Sequence, residues 1–252
     1  MASPEPAIAP SSHLPSNQSP SAVAHPALNP MIAPLTDAYR QAYGRINGVV
    51  VVGEALAERH FRLLARLIPA DAAELQRLGA MEGRHARDFV GCANNLGSEP
   101  DLRLARQLFA PLQALFRDCD RRGDLAGCLV IQCLIVECFA VAAYRVYLPV
   151  ADAYAKPITA AVLQDEVEHL NYGEVWLQQR FDEVADGVAA ICAKALPLML
   201  PILQALVPDM LVIGMDPLEL LVGFNEIFEQ SLEAIGFERR VATRLTLRAL
   251  AA

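Results

Sequence analysis

The feature that most constrains the fold of this chain is a glutamate in the middle of a long apolar run. The run CLVIQCLIVECFAVAAY extends from Cys128 to Tyr144, and its only polar side chains before the tyrosine are Gln132 and Glu137. A helix that is apolar on every face either spans a membrane or lies at the centre of a large core. A carboxylate at the midpoint is costly in lipid, and no neighbouring run is expected to supply a second span. The segment is therefore predicted to be the central helix of a soluble bundle.

Glu137 then needs a cationic partner, because an unpaired charge in an apolar interior costs several kcal/mol or more. No Lys or Arg lies within one helical turn of it, and Arg145 is two turns away. The partner must come from another part of the chain or from a bound metal ion.

A repeated spacing points to a metal. Glu82 precedes His85 by three residues, as Glu166 precedes His169, and residues three apart are neighbours on one helix face. A lone glutamate in or beside an apolar run precedes each pair by 28 or 29 residues. The order of a lone glutamate followed by Glu-x-x-His therefore occurs twice. The candidate ligands are Glu54, Glu82, His85, Glu137, Glu166 and His169.

Four carboxylates and two neutral imidazoles carry four negative charges, which two divalent cations would balance. Carboxylate and imidazole ligands suit iron or manganese better than zinc held by thiolates. The same ligand order is known from ferritin-like dinuclear carboxylate bundles. The alternative is a metal-free bundle in which the Glu-His pairs face water.

The fold class is predicted to be all-α, a ferritin-like bundle of about eight helices, because helix stops recur and no alternating β-branched runs appear. Residues 1–36 hold eight of the 17 prolines and one charged residue, Glu5, so they are predicted to be a disordered tail before a domain at 37–252. Pro197 and Pro201 are expected to kink or break the sixth helix. The predicted helices are 37–68, 71–97, 102–122, 125–148, 157–181, a sixth ending before 216, 216–236 and a short C-terminal helix.

Composition narrows the function classes. The net charge of −8 and the pI near 5.1 disfavour nucleic acid or an anionic membrane as the main partner. The six cysteines form no C-x-x-C pair, which indicates buried thiols in a reducing cytoplasm rather than a cysteine-held metal. The tail lacks the features of a secretory or organelle signal, so a cytoplasmic location is expected.

Beyond the ligands, the chain resembles the cyanobacterial aldehyde-deformylating oxygenases, also called aldehyde decarbonylases. The text HLNYGE after the second Glu-x-x-His is the most specific piece, and all six ligand positions of the family are filled. The chain departs from the family's further acidic residues beside Gly53-Glu54, where Val52, Ala55 and Leu56 stand, and the family's Phe-Phe pair is Leu108-Phe109. The matching segments are YRQAYGRIN (Tyr39–Asn47), MEGRH (Met81–His85), FAPL (Phe109–Leu112), LVIQCLIVECFAVAAY (Leu129–Tyr144), DEVEHLNYGEVWL (Asp165–Leu177) and QSLEAIGF (Gln230–Phe237).

The resemblance implies a lyase-class enzyme that converts a long-chain fatty aldehyde into an alkane or alkene one carbon shorter plus formate. It would use O2, two Fe ions held by the six ligands, and four electrons. The chain has no G-x-G-x-x-G motif and no cysteine set for an iron-sulfur cluster, so electrons are expected from ferredoxin and ferredoxin reductase with NADPH. An acyl-carrier-protein reductase is the expected supplier of the aldehyde.

The resemblance also implies roles for residues beyond the ligands. Asp165, Tyr144 and Gln132 would hydrogen-bond to the ligands, although Asp165 equally suits a solvated helix surface and the other two equally suit satisfied polar groups of a core. The side chains that would line an aldehyde channel, or else belong to plain core, are Val50, Phe89, Phe109, Ala140 and Ala143.

Three rival functions share parts of this pattern. Iron storage or ferroxidase activity would use the same fold, and a desaturase-like oxidase or radical-generating subunit would use the same ligands. A helical interaction module without metal is the third. The text HLNYGE favours the aldehyde enzyme over the second group, and the second Glu-x-x-His favours it over storage.

Overall fold

The computed structural model of the protein describes residues 36–248. The predicted tail therefore lies outside the described residues, apart from its last residue, Thr36. That side chain caps the first helix, because Thr36 Oγ1 accepts a hydrogen bond of 3.1 Å from the Tyr39 backbone N–H.

All regular structure in the described residues is helical, which confirms the all-α prediction. Eight helices follow one another through short connections, and most of their bounds lie within two or three residues of the predicted ones. They are α1 (Asp37–Leu67), α2 (Ala72–Asn95), α3 (Leu102–Arg122), α4 (Leu125–Tyr147), α5 (Ala155–Gln178), α6 (Phe181–Ile213), α7 (Pro217–Ile235) and α8 (Arg239–Arg248).

The apolar run forms α4, and this helix lies at the centre of the bundle. Every residue from Gly127 to Ile135 is buried, and helices α5, α6 and α7 pack around α4. By length and composition alone, both α4 and α6 could cross a membrane, although 72% of the α4 window is buried inside the protein and 44% of the α6 window. The expectation that no neighbouring run has the length and composition of a span was therefore wrong for α6. The burial of α4 is that of a core helix.

The prolines of α6 do not break it. The helix is continuous over 33 residues and contains Pro197, Pro201 and Pro208. Each proline removes one backbone hydrogen bond to the carbonyl four residues earlier. Pro201 and Pro208 are exposed, and Pro197 is half-buried, so water can reach this side of the helix while its opposite face packs on the core. Tertiary packing thus outweighs the local preference of proline.

The centre of α4 departs from α-helical geometry. Residues Val130–Val136 form a π-helix, in which backbone hydrogen bonds span five residues instead of four. Residues five apart then share a face, which allows Gln132 Nε2 to donate a 2.8 Å hydrogen bond to Glu137 Oε1. The apolar pattern predicted a helix over residues 125–148 without a π-helical segment.

Helix α5 approaches the π-helix at Gly173, within the text HLNYGE. A Cβ atom at Gly173 would lie 2.4 Å from the Cβ of Cys133 and 3.2 Å from its carbonyl oxygen. No side chain fits there without moving a helix, because interiors are close-packed. This glycine therefore sets the distance between the two helices that carry Glu137, Glu166 and His169.

We expect Gly173→Ala to lower the melting temperature by roughly 3 to 10 °C, because the added methyl group overpacks the contact between α4 and α5. Thermal unfolding followed by circular dichroism measures the effect. Gly187→Ala is the matched control, since it also lies inside a helix but a Cβ there meets nothing within 4 Å. It should be neutral or slightly stabilising. Equal melting temperatures for the two variants would contradict the close approach.

Candidate metal centre

Four helices bring the six predicted ligands together at the centre of the bundle. Helix α1 carries Glu54, α2 carries Glu82 and His85, α4 carries Glu137, and α5 carries Glu166 and His169. All six side chains are buried, with at most 6% of any of them exposed. The alternative of Glu-His pairs facing water is therefore wrong.

The six side chains form two overlapping groups of possible ligands. One group contains Glu54, Glu82, His85 and Glu166, and the other contains Glu82, Glu137, Glu166 and His169. Within each group, one ligand atom per residue lies within 4.8 Å of the others. Glu82 and Glu166 belong to both groups, so their two oxygens can serve two neighbouring ions.

The imidazoles point their Nδ1 atoms into these groups. His85 Nδ1 lies 3.4 Å from one oxygen of each of Glu54, Glu82 and Glu166. His169 Nδ1 lies 3.1 Å from one oxygen of Glu82 and of Glu166. Each nitrogen thus faces several carboxylates across the space that an ion would fill.

The raised pKa values in the cluster indicate that its carboxylates need positive charge nearby. Burial raises the pKa of Glu137 well above its usual range, and the Glu82 and Glu166 carboxylates raise it further. The pKa of His169 is raised although burial opposes its charge, because it hydrogen-bonds to Glu166 and lies close to Glu137. The raised pKa values favour protonated Glu137 and His169, which reduces the negative charge of the cluster when no cation is bound.

The carboxylate oxygens and imidazole nitrogens of the cluster are suitable ligands for divalent metal ions. Glu82 Oε1, His85 Nδ1 and Glu166 Oε1 are buried and have no hydrogen-bond partner, whereas buried polar atoms are nearly always paired. Metal coordination would satisfy these inward-facing atoms and balance the carboxylate charge. The cluster can therefore hold metal.

The three polar residues implied by the resemblance each contact a candidate ligand. Asp165 Oδ2 lies 3.0 Å from His85 Nε2, which leaves Nδ1 of that ring directed at the carboxylates. The Tyr144 hydroxyl donates to Glu54 Oε1, and Gln132 donates to Glu137. Asp165 is about one-third exposed, so its contact with His85 forms at the edge of the buried cluster.

His60 also belongs to this network, although it was not among the predicted site residues. Its Nδ1 lies 2.6 Å from Gln132 Oε1, and its ring stacks on Phe116 with centroids 3.6 Å apart. Burial lowers the pKa of His60 to about 4, so the ring is neutral near pH 7 and donates its Nδ1–H to Gln132. The one available signal was its position on the buried stripe of α1, with Ala57 and Leu64, because Gln132 is 72 residues away.

Two small adjoining cavities lie beside the cluster. The first, of about 60 Å³, reaches Glu54, Glu82, Glu137 and Glu166, and Tyr144 lines both cavities. The second has a volume of about 40 Å³. The predicted channel residues line one or both of them: Val50 and Ala143 line both, Phe109 and Ala140 line the first, and Phe89 lines the second.

Two comparisons with known proteins identify the family of this chain. The family model described as long-chain fatty aldehyde decarbonylase matches residues 36–251. A solved structure from Synechococcus, described as protein 19 with aldehyde deformylating oxidase activity, is 63% identical in sequence. The similarity covers 84% of this chain and 98% of that chain, with a TM-score of 0.84. The resemblance read from the sequence is confirmed, and the chain belongs to the long-chain fatty aldehyde decarbonylase family.

Proposed function

We propose that this protein converts a long-chain fatty aldehyde and dioxygen into formate and a hydrocarbon one carbon shorter. The reaction consumes four electrons and three protons and also releases one water, so that atoms and charges balance with formate as the anion. The bond between the carbonyl carbon and the alkyl chain breaks, and the alkyl carbon gains a hydrogen. One observation carries the proposal: a buried cluster of four carboxylates and two imidazoles borders an apolar cavity.

Two iron ions are the cofactor that we propose for the cluster. Glu54 and His85 would bind one ion, and Glu137 and His169 would bind the other. Glu82 and Glu166 would each contribute to binding both ions. When bound and reduced, the iron would supply the redox chemistry that activates dioxygen toward the aldehyde carbonyl. The four positive charges of two divalent ions would balance the four negative charges of the carboxylates. This balance would offset the free-energy cost of burying the carboxylates.

The side chains of the cavity position the aldehyde and exclude water. Val50, Ala140 and Ala143 are small and uncharged, so an alkyl chain can lie along them by burial of apolar surface. The carbonyl then lies at the end of the cavity that reaches the glutamates. Exclusion of water there strengthens the electrostatic interactions between the ligands and their ions.

The polar neighbours hold the ligands in one orientation. Asp165 fixes the ring of His85, the Tyr144 hydroxyl occupies one oxygen of Glu54, and Gln132 occupies one oxygen of Glu137. Hydrogen bonds of this kind commonly change metal affinity or activity by about 10 to 100-fold. We assign these three residues a positioning role, with His60 supporting Gln132.

The four electrons come from outside the chain in this proposal. The sequence has no glycine-rich dinucleotide motif, and all six thiols are buried and free. We propose ferredoxin and ferredoxin reductase, with NADPH, as the source and an acyl-carrier-protein reductase as the aldehyde supplier. We propose these partners, and a cytoplasmic location, on the basis of the family resemblance and the sequence.

The direct test is turnover of octadecanal by the iron-loaded protein with O2 and a reducing system. We expect heptadecane and formate in equal amounts, measured by gas chromatography and by a formate assay. Anaerobic incubation is the control and should give no hydrocarbon. Uptake of oxygen and oxidation of iron without formate would instead support iron storage.

We expect the purified protein to bind about two iron ions per chain and Glu137→Ala and His169→Ala each to lose at least one, because each removes a ligand that serves one ion. Iron is counted by atomic absorption. Glu168→Ala is the control, because Glu168 is exposed and pairs with Arg77 outside the cluster. Full iron content in both ligand variants would contradict the assignment.

Ala143→Phe should change chain-length preference. Ala143 lines both cavities, so a phenyl ring there would separate them and leave the cavity at the glutamates accessible. Yield from long aldehydes should fall severalfold or more relative to short ones, while iron stays bound. The measurement is hydrocarbon yield from a short and a long aldehyde at matched iron content.

Ala142→Phe is the control for this experiment. Ala142 is buried beside Ala143 but lines neither cavity, so a larger side chain overpacks the core at a cost of about 1 to 3 kcal/mol. Hydrocarbon yield from this variant should fall by a similar factor for the short and the long aldehyde. If Ala143→Phe behaves in the same way, Ala143 belongs to the core and the channel assignment is wrong.

A further inference from the structure

A third cavity lies between α1 and α3, on the other side of Phe109 from the metal centre. Its volume is about 340 Å³, which is within the usual range of small-molecule sites. Val51 and Val52 lie on this cavity and not on the two beside the glutamates. Its lining residues are Val51, Val52, Ala55, Leu56, Arg59, Leu102, Arg106, Phe109 and Gln113.

The lining combines an apolar wall with two guanidinium groups. Arg59 on α1 and Arg106 on α3 are exposed, and neither has a carboxylate within ion-pairing distance among the described residues. The nearest acidic residue along α1, Glu58, pairs with Arg62 instead. Two uncompensated cations beside an apolar surface are notable in a chain with a net charge of −8.

Helix α1 supplies most of the apolar wall. Val52, Ala55 and Leu56 flank Gly53-Glu54 on this helix, and all three line the cavity. None of the three carries a charge, so no carboxylate at these positions competes for the two guanidiniums. The same side chains give an alkyl chain a surface to lie on.

We propose that this cavity binds a long-chain fatty carboxylate. The carboxylate pairs with Arg59 and Arg106, whose planar guanidiniums match its geometry, and Gln113 offers an amide donor. The alkyl chain lies along Val51, Val52 and Leu56. The site is separate from the proposed aldehyde activity, because its arginines do not line the cavities at the metal centre.

Phe109 separates the third cavity from the first cavity, which lies beside the metal centre. Its ring lines both cavities and packs against Gly53, where a Cβ atom would lie 3.4 Å from Phe109 Cζ. A ligand in the third cavity therefore touches the side chain that bounds the aldehyde cavity, without contacting the six metal ligands.

Calorimetric titration of the iron-loaded full chain with hexadecanoate, below its micelle concentration, tests the proposal. Hexadecanol has the same tail without the charge and should bind at least about tenfold more weakly. The double variant Arg59→Gln and Arg106→Gln should weaken hexadecanoate about tenfold or more and leave octadecanal turnover unchanged. The matched control is Arg103→Gln with Arg117→Gln, two exposed arginines of α3 that lie off the cavity.

Two further variants locate the ligand. Leu56→Glu should weaken hexadecanoate binding, because it places a carboxylate in the cavity that holds the arginines, and Ala143→Phe should not, because it fills only the cavities at the metal centre. Equal binding of acid and alcohol would overturn the proposal. So would hexadecanoate binding that falls with Ala143→Phe but not with the arginine variants. Because binding is measured without turnover, either result leaves the proposed activity untouched.

Discussion

The structure depends on the mutual burial of four carboxylates and two imidazoles at its centre. In the absence of a cation, burial and mutual repulsion raise the pKa values of Glu82 and Glu137 well above their usual range, so these groups oppose folding unless they are neutralised. Divalent ions bound to the cluster would reduce that penalty for the carboxylates together. We expect metal binding and the stability of the bundle core to be coupled for this reason.

The elements around the cluster adapt to hold its members at fixed separations. The π-helix places Gln132 and Glu137 on one face, and Gly173 allows α5 to approach that segment closely. Short π-helical segments inside α-helices occur frequently at functional sites.

The three cavities differ in volume and in the chemistry of their lining residues. The two that Tyr144 lines are small and mainly apolar, and the first of them reaches four glutamates of the cluster. The cavity beyond Phe109 is larger and has arginines at its edge, which suits an anionic head group. One aromatic ring therefore separates a reactive site from a proposed binding site, and the two can be altered independently.

Periodicity and spacing by themselves determined the helical class, the six candidate ligands and their order, because a carboxylate in an apolar helix has few stable solutions. The tertiary structure decided what depends on residues distant in sequence. It placed His60 on Gln132, set α5 against the π-helix, and kept α6 continuous through three prolines. These outcomes follow from packing between elements, which outweighs local propensity and leaves no mark in the spacing of any one segment.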